Sequence, residues 1–178
     1  VSLKELYLGN NNITNTSPIY NLINLEKLFL GSNSGISSIT LTNLTSLQSL
    51  QLTGVSSLNS IDLSNNINLT HLNIPGTGIT SIDLSNNTNL TNLQVGNNAG
   101  GLNSLDVSML TNLERLTMAQ GNNLSSLDVS NCTDLTYFDT RNNSNLICIE
   151  TNLDQISNYS IIQFVSDFQN AYQTIKPG

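Results

Sequence analysis

The sequence predicts a right-handed solenoid of parallel β-strands, a mostly β member of the α/β repeat class, closed at its C-terminal end by a helical cap. Three observations point there. Leucines recur in columns at a nearly constant 22-residue step through residues 3–150. Within each step a Leu-x-Leu group alternates one residue in and one out, the period of a strand. Residues 151–178 then abandon the leucine pattern for helical spacing.

The first column is Leu3, Leu25, Leu47, Leu69, Leu90, Leu113 and Leu135, with steps of 22, 22, 22, 21, 23 and 22 residues. Three residues on lie Leu6, Leu28, Leu50, Leu72, Leu93, Leu116 and Phe138. Two further lie Leu8, Leu30, Leu52, Ile74, Val95, Met118 and Thr140. The next landmark is Asn11, Asn33, Asn98 and Asn143, with Val55, Thr77 and Gly121 in the other three turns. A single strand cannot bury its own apolar face; stacking turns in parallel buries a continuous column and pairs the backbone ladder. An asparagine where the chain turns inward can bond the backbone there.

Each turn then has a second apolar-x-apolar run: Ile39–Leu41, Ile61–Leu63, Ile82–Leu84, Leu105–Val107, Leu127–Val129 and Ile149–Glu150. These read as short second strands on the back of the solenoid. After residue 150, Ile161, Phe164, Val165, Phe168 and Tyr172 fall at helical spacing. An amphipathic helix there covers the last open turn. The chain thus divides into a solenoid, 1–150, and a cap, 151–178. No matching N-terminal cap precedes the first turn. The chain opens at Val1 inside a repeat and reads as an excised fragment with an open strand edge.

The motif L-x-x-L-x-L-x-x-N in seven successive turns resembles the leucine-rich repeat family. "SLDVSNCTDLTYFDT" and "SIDLSNNTNLTNLQV" are similar to repeats of secreted flavobacterial (Bacteroidetes) proteins, and "NLICIE" to their closing turn. "ITNTSPIYNLINLEKLFL" resembles the internalin-type repeats of bacterial surface proteins. The resemblance implies a secreted or cell-surface bacterial binding protein whose concave sheet meets the partner.

The outward positions of that sheet can be read by column. Before the second leucine stand Glu5, Lys27, Ser49, His71, Asn92, Arg115 and Tyr137. Between the paired apolar residues stand Tyr7, Phe29, Gln51, Asn73, Gln94, Thr117 and Asp139. After them stand Gly9, Gly31, Thr53, Pro75, Gly96, Ala119 and Arg141, nearly all small. The centre is uncharged amide, the ends are aromatic, and Lys27, Arg115 and Arg141 make the face less acidic than the chain. The candidate binding residues are Tyr7, Phe29, Gln51, His71, Asn73, Gln94, Arg115, Tyr137, Asp139 and Arg141. Tyr and Arg suit a protein interface, and a protein or host-surface ligand is the first reading. Amides with an aromatic platform suit a polysaccharide, and the cations a sulfated or uronic one. A spacer without a ligand is the third, in which Tyr7 and Phe29 merely pair across strands.

On the back, Asp62, Asp83, Asp106, Asp128 and Glu150 form one outward column. Carboxylates about 4.8 Å apart repel. The preferred reading is a solvated ridge; weak divalent-cation binding is the alternative, since calcium needs 6–8 oxygens around one point. His71 has Ser49 one turn away, but no oxyanion donors or aligned acid accompany the pair, so no enzyme is expected. Cys132 falls in an inward column and reads as a buried thiol; Cys148 stands near the closing turn, and a disulfide between the two fits poorly. The glycine-bearing turns "GTGITS" and "GNNAGG" do not follow a phosphate-loop pattern, and no cofactor is implied. A net charge of −7 with five Lys and Arg disfavours nucleic acid and anionic membranes. No apolar run approaches the ~20 residues of a membrane span.

Overall fold

The computed structural model describes residues 2–118, 120–152 and 176–177. Seven three-residue strands stack in parallel as one sheet: β1 (Glu5–Tyr7), β2 (Lys27–Phe29), β3 (Ser49–Gln51), β4 (His71–Asn73), β5 (Asn92–Gln94), β6 (Arg115–Thr117) and β8 (Tyr137–Asp139). The register follows the leucine columns: Leu6, Leu28, Leu50, Leu72, Leu93, Leu116 and Phe138 are paired in succession. The ladder runs past the strands, for instance from the Leu30 N–H to the Gln51 carbonyl at 2.9 Å and from the Ile74 N–H to the Gln94 carbonyl at 2.9 Å. Behind the sheet Leu28, Leu50, Leu72, Leu93 and Leu116 are sealed from solvent.

The backbone must reverse at the same point in every turn. Asn10, Ser32, Gly54, Gly76, Asn97, Gln120 and Asn142 stand there, all with positive φ. Glycine and asparagine tolerate this left-handed region best, and they fill every place in the column but Ser32 and Gln120. Gly76 meets a second constraint: a Cβ there would come 3.3 Å from the Gly54 backbone.

Buried asparagines complete the turns. Asn33 donates to the carbonyls of Leu8 and Leu30 (2.8 and 2.7 Å), and its Oδ1 accepts from the Ile13 N–H at 3.0 Å. Asn98 and Asn143 take the same place, and Thr77 substitutes by donating to the Ile74 carbonyl at 3.0 Å. In the sixth turn the position belongs to Asn122, not to Gly121. Asn122 is 3 % exposed and donates to the Met118 carbonyl at 2.8 Å, whereas Gly121 is exposed with φ +73°. Asn122 stands six residues after Leu116, whereas Asn98 stands five after Leu93 and Asn143 five after Phe138, so the extra residue lies between the sixth strand and its asparagine.

The second runs differ in part from expectation. Strand pairing occurs between β7 (Ser126–Asp128) and β9 (Cys148–Thr151), joined by β10 (Lys176–Pro177). Residues 39–41, 61–63, 82–84 and 105–107 keep the in–out alternation without forming strands. Alternation sets where side chains point, but a ladder also needs adjacent turns at bonding distance. The first turn instead holds a 3-10 turn, Ser17–Asn21, that buries Ile19. The expected cap helix at Ile161–Tyr172 lies outside the described residues.

Candidate ligand-binding face

The parallel register sets the outward residues in straight rows. Glu5, Lys27, Ser49, His71, Asn92, Arg115 and Tyr137 are successive partners in one row, and Tyr7, Phe29, Gln51, Asn73, Gln94, Thr117 and Asp139 in the other. All ten sequence-derived candidates thus lie on or beside one sheet. Their roles separate into two ends and a centre.

At the β1 end the side chains fix one another. The Tyr7 and Phe29 rings stack with centroids 4.6 Å apart and planes 7° apart. The Tyr7 hydroxyl donates to Glu5 Oε2 at 2.8 Å, and Lys27 Nζ lies 2.9 Å from Glu5 Oε1. Lys27, then Tyr7, lower the Glu5 pKa by hydrogen bonding, while Glu5 raises those of both partners. Lys27 therefore braces an aromatic pair and is not a vacant cation.

At the other end Arg141 grips Asp139 through two bonds, Nε to Oδ1 at 2.9 Å and Nη2 to Oδ2 at 2.7 Å. Asp139 is only 7 % exposed, and its hydrogen bond with Arg141 holds its carboxyl below the usual range. That takes Asp139 out of the accessible row. Arg115 stacks over the Tyr137 ring, its Cζ 4.0 Å from the centroid, a cation–π contact. Two of the three cations that suited an anionic polymer are thus spent on internal carboxylates.

Between the ends lies an uncharged cleft of about 350 Å³. Phe29, Ser49, Gln51, His71, Asn73, Asn92 and Gln94 line it over the buried Leu50 and Leu72. Thr53, which sequence reasoning passed over as merely small, donates its hydroxyl to Asn73 Oδ1 at 2.8 Å. Asn73 is thereby oriented with its amide N–H groups left as donors. His71 Nδ1 is 2.9 Å from Thr70 Oγ1; among the described residues no hydrogen bond joins it to Ser49.

The acidic column on the back has a local purpose. Oδ1 of Asp62, Asp83, Asp106 and Asp128 each accepts the backbone N–H two residues on, at Ser64, Ser85, Ser108 and Ser130, all at 2.9 Å. These are Asx turns, a role the D-L-S and D-V-S spacing could have revealed. Bonds from Ser64, Ser85 and Ser108 hold Asp62, Asp83 and Asp106 below their ordinary pKa. Glu150 lies in β9 and takes part in no such turn among the described residues. Among the described residues no three His, Cys, Asp or Glu side chains converge as a metal site.

The inward column is as expected. Cys132 is fully buried in the same inward column as Asn66 and Asn87, its Sγ 3.6 Å from the Val107 carbonyl, and burial, with Asp128 adding to it, pushes its thiol up to about 11. Cys148 is a half-buried thiol in β9. Among the described residues no helix is long and apolar enough to cross a membrane.

The family model described as leucine rich repeats (2 copies) matches residues 1–43. No curated protein sequence matches. Among solved structures, internalin C2 of Listeria monocytogenes is 26% identical with a TM-score of 0.64, covering 98% of this chain and 71% of its own. The functional domain of InlJ from the same organism, which includes a cysteine ladder, is 24% identical with a TM-score of 0.61 over 97% of this chain. A Leptospira interrogans leucine-rich repeat protein is 20% identical with a TM-score of 0.55 over 85% of this chain. The match spans 44% of the InlJ chain and 44% of the Leptospira chain.

Proposed function

We propose that this chain, a leucine-rich-repeat solenoid resembling the bacterial internalins, is a non-catalytic recognition module, secreted or displayed on a bacterial surface, that binds a protein or host-surface ligand through its concave sheet. The observation that carries the reading is the division of labour on that sheet. Both ends are internally braced by charge and ring contacts, while the centre leaves polar side chains open over a rigid leucine floor. Preorganised side chains lose little entropy on binding, and Tyr and Arg at the ends are typical anchors of protein interfaces. A ridge of capped aspartates on the opposite side offers no comparable surface.

The test is capture from an array of host-surface proteins by the immobilised chain. Gln51→Arg, which places a bulky charge in the open centre, is expected to abolish capture. Asn65→Arg, at an exposed position on a turn outside the sheet, is expected to leave it intact. Loss with Asn65→Arg alone, or silence across the array, sinks the reading.

A further inference from the structure

We propose that the central cleft seats a neutral sugar ring of a glycan, stacked on Phe29 and hydrogen-bonded by the surrounding amides. The inference rests on the reading that the concave sheet is the binding face, and it names the chemistry that this face selects.

Among the described residues Phe29 is the only Phe, Tyr or Trp lining the cleft. Tyr7 covers one face of its ring; its other neighbour across the sheet is Gln51, so the second face is turned toward the amides. Tyr7 is in turn held by Glu5, and Glu5 by Lys27. Three side chains thus brace the one ring that forms the end wall of the polar cleft. An aromatic face so presented suits the C–H face of a pyranose, whose ring-edge hydroxyls then need both donors and acceptors.

The rest of the lining supplies them. Asn73 gives up its Oδ1 to Thr53 and keeps its amide donors. His71 has its Nδ1 engaged by Thr70, and its Nε2 makes no side-chain hydrogen bond among the described residues. Gln51, Asn92 and Gln94 have no intramolecular side-chain hydrogen bond among the described residues and can offer both donor and acceptor. Among the described residues no Asp, Glu, Lys or Arg lines the cleft, which disfavours a sulfated or uronic unit. About 350 Å³ lies at the small end of ligand pockets, roughly 300–1,000 Å³, which fits a short stretch of sugar chain better than an interface core.

The experiment titrates the full chain, by calorimetry and by protein NMR, with neutral hexasaccharides (cello-, manno-, xylo- and laminari-series) and with heparin and oligogalacturonate fragments. One neutral series is expected to bind, with at least a tenfold loss in Phe29→Ala and in Asn73→Ala. Phe29→Trp, which keeps a stacking face and controls for folding, retains binding, and Asn65→Arg, outside the sheet, leaves it unchanged. Any glycoprotein captured on the array is tested before and after deglycosylation. Loss on deglycosylation together with hexasaccharide binding identifies a protein-borne glycan; hexasaccharide binding alone identifies free polysaccharide. Binding of the anionic fragments in preference to every neutral one overturns the proposal, as does binding untouched by Phe29→Ala. Failure of all sugars alongside Gln51→Arg-sensitive capture of a deglycosylated protein overturns the glycan but keeps the face. Sugar binding that survives Gln51→Arg and is lost in Asn65→Arg overturns both.

Discussion

Asp83 accepts the Ser85 N–H, and its counterparts Asp62 and Asp106 do the same at Ser64 and Ser108. Each bond favours the ionised carboxyl, so each folded-state pKa lies below the unfolded value of about 3.9. A depressed carboxyl contributes stability that is fully present above its unfolded pKa and is lost as pH falls through the folded one. The urea midpoint should therefore fall as pH drops below about 4. An asparagine keeps the Oδ1 acceptor but cannot titrate. The triple variant Asp62→Asn, Asp83→Asn, Asp106→Asn is expected to flatten this acid limb while nearly preserving the midpoint at pH 7. An acid limb as steep as the parent's would show that these turns do not govern it. This role was open to sequence reasoning, because an aspartate followed two residues later by serine recurs in four turns. The bracing of Phe29 through Tyr7, Glu5 and Lys27 was not, since column positions give adjacency but not which neighbour a long side chain chooses.

The turns share two inward columns, each polar in some turns, of unequal importance. In the first, Asn33 is fully buried and satisfied on both sides of its amide, bonding three backbone groups. In the second, Asn66 and Asn87 donate to neighbouring carbonyls, but their Oδ1 atoms are buried without a partner. That second column already holds Leu44 and Leu110 in other turns, both fully buried. Asn33→Leu is therefore expected to cost several times more than Asn66→Leu, at about 1–3 kcal/mol for each buried group left unsatisfied. Chemical denaturation of the two variants checks the ordering; equal costs would contradict it. The leucine columns made the concave sheet and its register fully legible in the sequence, because burial forces a strict period of two on each strand. The back was legible only in direction. Residues 61–63 and 127–129 have the same alternation, yet only the latter overlap a paired strand, β7. The inter-turn distance that separates the two cases is not written in either run.

Across the whole molecule each turn touches only its neighbours, so stability is close to a sum of nearest-neighbour terms. The Leu8 N–H bonds the Phe29 carbonyl at 2.8 Å, and the Leu52 N–H bonds the Asn73 carbonyl at the same 2.8 Å. Leu8 is only partly buried, whereas Leu52 is fully buried. Native-state hydrogen exchange should therefore be fast at Leu8 and slow at Leu52, Ile74 and Val95, although the bonds are alike. Uniform protection from Leu8 to Val95 would instead mark a single cooperative unit. The parallel register has one more consequence. Thr53 and Pro75 occupy the same place in successive coils, so excising residues 53–74 would join Leu52 to Pro75 without changing the direction of any later side chain. The gap between the aromatic wall at Phe29 and the cation at Arg115 is thus quantised. It can be shortened or lengthened only in whole strand spacings of about 4.8 Å, which makes the sheet a ruler whose reach is set by counting coils.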